Sequence, residues 1–121
     1  MLRISHLADW HIGSARGKID PVTKLNCRLT DFARSAHFCV EDSIARGAQL
    51  ILHGGDVFNV CRPTPTERRL AIEAFQPALE AGIPVVALLG NHDASRAPAE
   101  KHALDLLMDI PGLLVYTPAI P

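Results

Sequence analysis

The sequence is notable first for what it lacks. Its 121 residues carry no charge excess, since 12 lysine and arginine residues oppose 13 aspartate and glutamate residues. A near-neutral chain offers no bulk field for holding nucleic acid, although a small basic rim remains compatible with it. No apolar run approaches the roughly 18 residues of a membrane span, and the N-terminus lacks a signal peptide's apolar stretch. We therefore expect a cytoplasmic protein with no membrane partner.

Cysteine is scarce as well. The three cysteines are odd in number and form no C-x-x-C pair, which argues against a disulfide framework and a zinc ribbon. What is present is a composition of 48% hydrophobic and 21% charged residues, typical of a globular chain. We expect residues 1–121 to form a single domain, or part of one, with a substantial core.

The hydrophobic pattern alternates between strands and helices. Short apolar runs at 2–7, 48–53, 83–89 and 113–116 predict strands, and we expect the second of them to be covered on both faces. Apolar residues three and four positions apart predict intervening helices over 24–46, 64–81 and 98–108. Crossovers of this length imply parallel βαβ units joined right-handedly, hence an α/β layered sheet.

Two of these helices carry specific signals. In the first, the stripe of Leu29, Phe32 and Ala36 predicts core packing and not a cofactor-binding face. In the second, Thr64–Glu67 predicts a capping box at the start. Pro77 lies inside that helix and is expected to kink or split it, because proline removes a backbone donor.

Polar residues follow three of the strands where each one ends. The segments are D-W-H at 9–11, G-G-D-V-F-N at 54–59 and G-N-H-D at 90–93. In parallel α/β sheets the functional crevice lies beyond the carboxyl ends of the strands. Taken singly, D-x-H occurs by chance and G-D-x-x-N is often an ordinary loop, whereas a turn has no use for the His-Asp of the third segment. Together they predict a site at one rim.

The residue types at this rim suit metal ions. Asp9 and His11 are two apart, so in an extended strand they would share one face and bind one ion. Asp56 follows two glycines that permit a tight turn, and its two oxygens could bridge two ions. Asn91 offers a neutral carbonyl oxygen. Such ligands suit Mn²⁺, Fe²⁺ or Zn²⁺, and a pair of ions could clamp the attacking and leaving oxygens of a phosphate ester.

The segments "DWH", "GGDVFN" and "GNHD" resemble the first three signature blocks of the calcineurin-like metallophosphoesterases. Trp10 and the context "GIPVVALLGNHD" resemble more specifically the SbcD-type DNA double-strand-break repair nucleases, over residues 3–116. This resemblance implies the N-terminal part of a four-layer metallophosphoesterase sandwich. It also implies exonuclease or endonuclease action on DNA ends, with an SbcC-type ATPase partner and a homodimer as a further option.

The resemblance assigns a metal-binding role to four side chains. Asp9 and His11 would bind one metal, Asp56 would bridge, and Asn91 would bind the second, with two Mn²⁺ ions as the family's usual cofactors. The family supplies further histidines from later G-H and G-H-x-H blocks, and none follows residue 93; His102 is expected to lie mid-helix. We therefore expect an N-terminal part of a larger nuclease, binding metal weakly or incompletely by itself.

The resemblance also implies catalytic roles. His92 would be the acid near the scissile phosphate, and Asp93 would orient it by accepting a hydrogen bond from its ring. Asn59 stands where many relatives carry aspartate or histidine, a position near the substrate. His6 and His53 precede the predicted aspartate ligands by three residues. They would either support the metal site or be ordinary strand histidines with backbone partners, the reading we favour.

Two alternatives stay open beside the nuclease. The same blocks would serve a phosphoesterase of small nucleotides or phosphoproteins, and the absent histidines would suit a catalytically silent assembly module. Several basic residues in or beside the rim loops could contact DNA phosphates, although solvated arginines are as ordinary an explanation. They are Arg16, Lys18, Lys24, Arg28, Arg62, Arg68, Arg69 and Arg96.

Overall fold

Four parallel strands form the centre of the computed structural model, which describes residues 1–13, 17–97 and 102–117. They lie side by side in the order β1-β2-β3-β4. Their bounds are Ile4–Leu7 for β1, Leu50–His53 for β2, Val85–Leu88 for β3 and Leu113–Tyr116 for β4. The predicted α/β sheet of parallel βαβ units is confirmed; the first three strands are shorter than their apolar runs, and β4 matches its run.

Two α-helices connect the first three strands: α1 spans Cys27–Ala45 and α2 spans Pro65–Glu80. A sheet in sequential order with right-handed crossovers carries its helices on one face. Accordingly α1 and α2 pack against each other and share one hydrophobic cluster with the buried strand residues.

The two faces of the sheet differ in burial. On the helix-covered face, Ile51 and Val85 are fully buried. On the opposite face, Leu114 and Tyr116 are 62% and 61% exposed. The described residues therefore cover one face of the sheet. In β2, which we expected to be covered on both faces, Leu50 and Leu52 are only half-buried.

The helix predictions met mixed outcomes. Leu29 and Ala36 are buried as expected, but Phe32 is 39% exposed and Ala33 lies in the core instead. The buried stripe of α1 follows steps of four, three and four from Leu29 to Val40, which leaves Phe32 on its flank.

The second helix begins with the predicted cap and is not split. The capping box is confirmed: the Thr64 hydroxyl accepts from the Glu67 N–H at 3.2 Å, and the Glu67 carboxylate accepts from the Thr64 N–H at 2.8 Å. The predicted split at Pro77 is wrong, because α2 runs unbroken to Glu80. Phe75 and Ala78 on either side of the proline are fully buried, so packing holds the helix together there.

The predicted third helix is only partly described, since residues 98–101 lie outside the described ranges. Its described part is a 3₁₀ helix over Ala103–Leu107 and not an α-helix. His102, expected mid-helix, is instead the residue that caps it, and its Nδ1 accepts from the Ser95 N–H at 3.0 Å. No helix in the described part of the chain is long and apolar enough to cross a membrane.

Candidate metal centre

The loops that follow β1 and β2 run side by side at the carboxyl end of the sheet. The N–H of Asp9 donates to the Gly55 carbonyl at 3.0 Å, and the N–H of His11 donates to the Asp56 carbonyl at 2.9 Å. Further backbone hydrogen bonds extend this ladder as far as Asn59. The two predicted metal-binding segments are therefore joined through their backbones before any side chain takes part.

Three predicted ligands adopt left-handed backbone conformations. The φ angles are 58° for Asp9, 47° for His11 and 56° for Asp56, and Lys24 is the only other such non-glycine among the described residues. Since β1 ends at Leu7, Asp9 and His11 do not share the face of an extended strand, which was the condition for their spacing to let them bind one ion. Positive φ costs a non-glycine residue about 1–2 kcal/mol, and such strain clusters at functional sites.

These turns still bring the predicted side chains together. His11 Nε2 lies 3.6 Å from the Asp9 carboxylate and 3.8 Å from the Asp56 carboxylate. One ligand atom each from His11, Asp56 and His92 lies within 4.8 Å of the others. Two carboxylates and two imidazoles form a donor set that fits a divalent transition metal.

The third loop approaches the second closely because of two glycines. A Cβ on Gly90 would overlap the carboxylate and the backbone nitrogen of Asp56. A Cβ on Gly55 would lie 2.9 Å from the Gly90 Cα. This contact lets the N–H of His92 donate to Asp56 Oδ1 at 2.8 Å. The sequence predicted a tight turn at Gly54 and Gly55, but it did not predict this close approach between the two loops.

Asp93 ties the loops together from below and is fully buried. Its carboxylate accepts from the N–H of Phe58 at 2.7 Å, of Gly90 at 3.1 Å and of Val57 at 3.3 Å. Burial raises the pKa of Asp93, although these three donors act in the opposite direction. Backbone donors contact both oxygens of Asp93 and the His92 Nδ1 lies against Asn59, so no hydrogen bond links Asp93 to the ring that it was expected to orient.

Asn59, and not Asp93, contacts the ring of His92. The His92 Nδ1 lies 3.0 Å from the backbone carbonyl oxygen of Asn59, and the His11 Nδ1 lies 3.2 Å from the Asn59 side-chain oxygen. The position was predicted only as near the substrate, and no local pattern could have shown that it contacts two histidines from other loops. Asn91, predicted as a ligand, is exposed beside His92.

Of the two strand histidines, only His53 is buried. Its Nδ1 accepts from the Gly55 N–H at 3.3 Å, and its ring centroid lies 4.5 Å from that of Trp10. Burial lowers the pKa of His53 to about 4, against the opposing effect of the Asp56 charge. His6 is exposed and its Nε2 borders Gly54. The arrangement of His53 is that of a strand histidine with a backbone partner.

The basic residues divide into two groups. Arg68 donates to the Leu106 carbonyl at 2.9 Å, and Arg69 pairs with a glutamate one helical turn along α2, so both are engaged in structural contacts. Arg62 and Arg96 line a groove together with His92 and Asn91. Arg16 lies outside the described residues.

Carboxylates and imidazoles gathered at the carboxyl rim of a parallel α/β sheet are an arrangement that suits a metal-dependent hydrolase. The sequence matches the family described as "Calcineurin-like phosphoesterase" over residues 2–116. Since the match covers nearly the whole chain, the chain belongs to the calcineurin-like phosphoesterase family, as its signature segments predicted.

Individual members of the family are also similar to this chain. The chain is 32% identical over 109 residues to the DNA double-strand break repair protein Mre11 of Methanocaldococcus jannaschii, covering 90% of this chain and 28% of that protein. It is 27% identical over 116 residues to the protein of the same name from Methanococcus maripaludis, covering 96% and 30%. It is also 32% identical over 65 residues to the "Probable inactive purple acid phosphatase 14" of Arabidopsis thaliana, covering 54% and 16%. The chain thus spans less than a third of these relatives' length.

Proposed function

We propose that this chain provides one wall of a metal-dependent phosphodiesterase centre that cleaves DNA. The observation that carries the proposal is the convergence of His11, Asp56 and His92, whose ligand atoms lie within 4.8 Å of one another at the rim. The left-handed turns at Asp9, His11 and Asp56 support it, because a fold without use for these side chains would place glycine or asparagine there.

Each side chain has a role in this proposal. His11 and Asp9 would hold one divalent ion, Asp56 would reach both ions, and Asn91 would contribute its carbonyl oxygen to the second. When bound, such ions lower the pKa of a water ligand and neutralise charge on the phosphate. Two Mn²⁺ ions are the cofactors that we infer from the family resemblance. The negative charge of the two aspartates favours any small divalent cation here.

His92 would act as the acid that protonates the leaving oxygen. Its ring is exposed beside the groove lined by Arg62 and Arg96, so a phosphate backbone could reach it. Its Nδ1 lies 3.0 Å from the Asn59 carbonyl oxygen, an acceptor for Nδ1–H, so Nε2 is the ring nitrogen left to face the leaving oxygen. The groove arginines would position phosphates without reading base sequence.

The relatives' names support DNA as the substrate, since both archaeal proteins carry DNA double-strand break repair in their names. An SbcC-type ATPase partner, a homodimer, cytoplasmic localisation and a single domain over residues 1–121 remain predictions of this proposal. So do the choice between exonuclease and endonuclease action and the weak or incomplete metal binding of the chain by itself.

The proposal is tested by incubating the longest available form of this protein with Mn²⁺ and linear duplex DNA, and in parallel with bis-p-nitrophenyl phosphate. We expect DNA degradation that His92→Ala reduces by about 10²–10⁴-fold, the usual contribution of acid–base catalysis. His37→Ala is the matched control, because His37 lies on α1 beside Glu41 and away from the rim. It should leave turnover unchanged.

The other outcomes separate the alternatives. Turnover of the small ester without DNA degradation would replace the nuclease by a small-phosphoester hydrolase. Absence of both activities would favour a catalytically silent module. Unchanged turnover in His92→Ala would remove the acid role.

A further inference from the structure

We propose that Asn59 is a positioning residue that sets the proton positions of both rim imidazoles, one through its side chain and the other through its backbone. The side-chain oxygen lies 3.2 Å from His11 Nδ1, and the backbone carbonyl oxygen lies 3.0 Å from His92 Nδ1. The inference deepens the proposed metal centre and rests on it for its functional meaning. Its structural content concerns the metal-free chain alone.

The proton positions follow from the chemistry of the two acceptors. Both are carbonyl oxygens, which accept hydrogen bonds and cannot donate them. Each Nδ1 must therefore carry a proton, so a neutral ring presents its lone pair on Nε2. For His11, Nε2 is the nitrogen that lies 3.6 Å from Asp9 and 3.8 Å from Asp56. The lone pair thus points to where the carboxylates converge.

Asn59 is held firmly enough to perform this role. Its own N–H donates to the Ile12 carbonyl at 3.0 Å. The preceding residue, Phe58, is fully buried and its N–H donates to Asp93 at 2.7 Å. Groups that orient a site are effective when rigid neighbours fix them in turn.

The geometry of the two rings agrees with a shared anchor. The rings of His11 and His92 meet edge to face, with centroids 4.8 Å apart and planes at 89°. A single residue can contact both rings of this perpendicular pair because it offers two separate carbonyl groups. Asparagine also adds no charge to a centre that already contains two aspartates.

The test begins with nitrogen-15 NMR of the imidazoles in the metal-free chain, at a pH where both rings are neutral. We expect the Nδ1–H form for both His11 and His92, although the histidine side chain free in water favours Nε2–H. In Asn59→Leu, His11 should move toward the Nε2–H form while His92 stays unchanged, because the backbone carbonyl survives the substitution. Nε2–H in either wild-type ring, or an unmoved His11 in the variant, would overturn the inference.

A second readout is Mn²⁺ affinity by titration calorimetry. Loss of an orienting partner behind a ligand histidine typically weakens metal binding by 10–100-fold, so we expect at least a tenfold weaker Kd in Asn59→Leu. Asn59→Asp retains an acceptor, so it should keep His11 in the Nδ1–H form and restore binding. It also covers the case in which the leucine variant does not fold.

Asn91→Leu is the matched control for ligation without positioning. It should weaken Mn²⁺ binding and leave the proton positions of His11 and His92 unchanged; a shift of His11 in this variant would count against the specific role of Asn59. The two proposals fail separately. The expected Nδ1–H forms without any Mn²⁺ binding would refute the metal centre, whereas Mn²⁺ binding with Nε2–H rings would refute the role of Asn59.

Discussion

The rim of the sheet has two layers that differ in burial and in the partners of their polar atoms. The inner layer consists of His53, Gly90 and Asp93. The side chains of His53 and Asp93 accept hydrogen bonds from backbone N–H groups, and the missing side chain of Gly90 lets two loops come into contact. The outer layer consists of Asp9, His11 and His92. Asp93 is 0% exposed, whereas the Asp9 side chain is 71% exposed.

Two residues adjacent in sequence, His92 and Asp93, have different roles at this rim. Asp93 directly follows His92, yet it joins three backbone donors from two loops while His92 faces the crevice. We infer that the inner layer determines the stability and shape of the rim, and that the outer layer determines its chemistry. The four predictions below test this division, beginning with the largest expected effect.

Asp93→Ala should cause the largest loss of stability. It leaves the buried N–H groups of Val57, Phe58 and Gly90 without their acceptor, and each unsatisfied group costs about 1–3 kcal/mol. We expect the free energy of unfolding to fall by roughly 4 kcal/mol, measured by urea denaturation.

Asp93→Asn is the informative companion. Its amide oxygen can replace Oδ1 as the acceptor for Phe58, but its amide nitrogen would then face the donors that bond to Oδ2. We expect a smaller loss, of about 1–3 kcal/mol. A cost below that range for the alanine variant would place Asp93 outside the inner layer.

His53 should make the stability depend on pH. Its folded pKa of about 4 lies below the ordinary value of 6.5, so protons bind the unfolded chain more readily. The contribution is complete above pH 6.5 and is lost as the pH falls toward 4. The loss amounts to roughly 3 kcal/mol, at about 1.4 kcal/mol per pKa unit.

The measurement is urea denaturation across this pH range in the wild type and in His53→Gln. Removing the titrating ring should flatten the dependence, whereas His37→Gln, on the surface of α1, should leave it unchanged. An equal slope in wild type and His53→Gln would show that His53 is not held neutral by burial.

Gly90→Ala should separate the second and third loops. The added methyl group overlaps Asp56, and overpacking of this kind costs about 1–3 kcal/mol. We expect a loss of roughly 2 kcal/mol together with weaker Mn²⁺ binding, by denaturation and calorimetry. Gly82→Ala is the control, because no atom lies within 4 Å of its added methyl and only its positive φ is strained. Unchanged Mn²⁺ binding in Gly90→Ala would argue that the loop contact does not shape the site.

Asp9 should give the smallest effect on stability, as an outer-layer residue. Both Asp9→Ala and Asp9→Gly remove the carboxylate, but only glycine relieves the left-handed conformation. The glycine variant should therefore be more stable than the alanine variant by about 1 kcal/mol, by thermal denaturation, with Mn²⁺ binding weakened equally in both. Equal stability would indicate that the strain at Asp9 is negligible.

The sequence predicted more of the fold than of the site's interior. Alternating apolar runs identified the parallel sheet, and the rule for strand ends located Asp9, Asp56 and His92 at one rim, because both signals are local. The partner of Asp93 and the contacts of Asn59 were missed, since hydrogen bonds between loops 30 or more residues apart leave no local pattern.

Local errors had local causes. Asp9 and His11 adopt left-handed conformations and do not continue β1. The backbone of this segment pairs with the loop after β2 and not with a strand. Phe32 was predicted in the core, but the neighbouring residue Ala33 is buried in its place. Both residues are apolar, so hydrophobicity alone does not show which of the two faces the core.

Titration of Mn²⁺ into the wild-type chain and into His11→Ala, by calorimetry, tests the central division most directly. We expect the wild type to bind Mn²⁺ with a Kd in the micromolar range or weaker, and His11→Ala to bind none. The free energy of unfolding of His11→Ala should lie within about 1 kcal/mol of the wild-type value. Submicromolar binding of two ions to the wild type, or binding that survives His11→Ala, would contradict it.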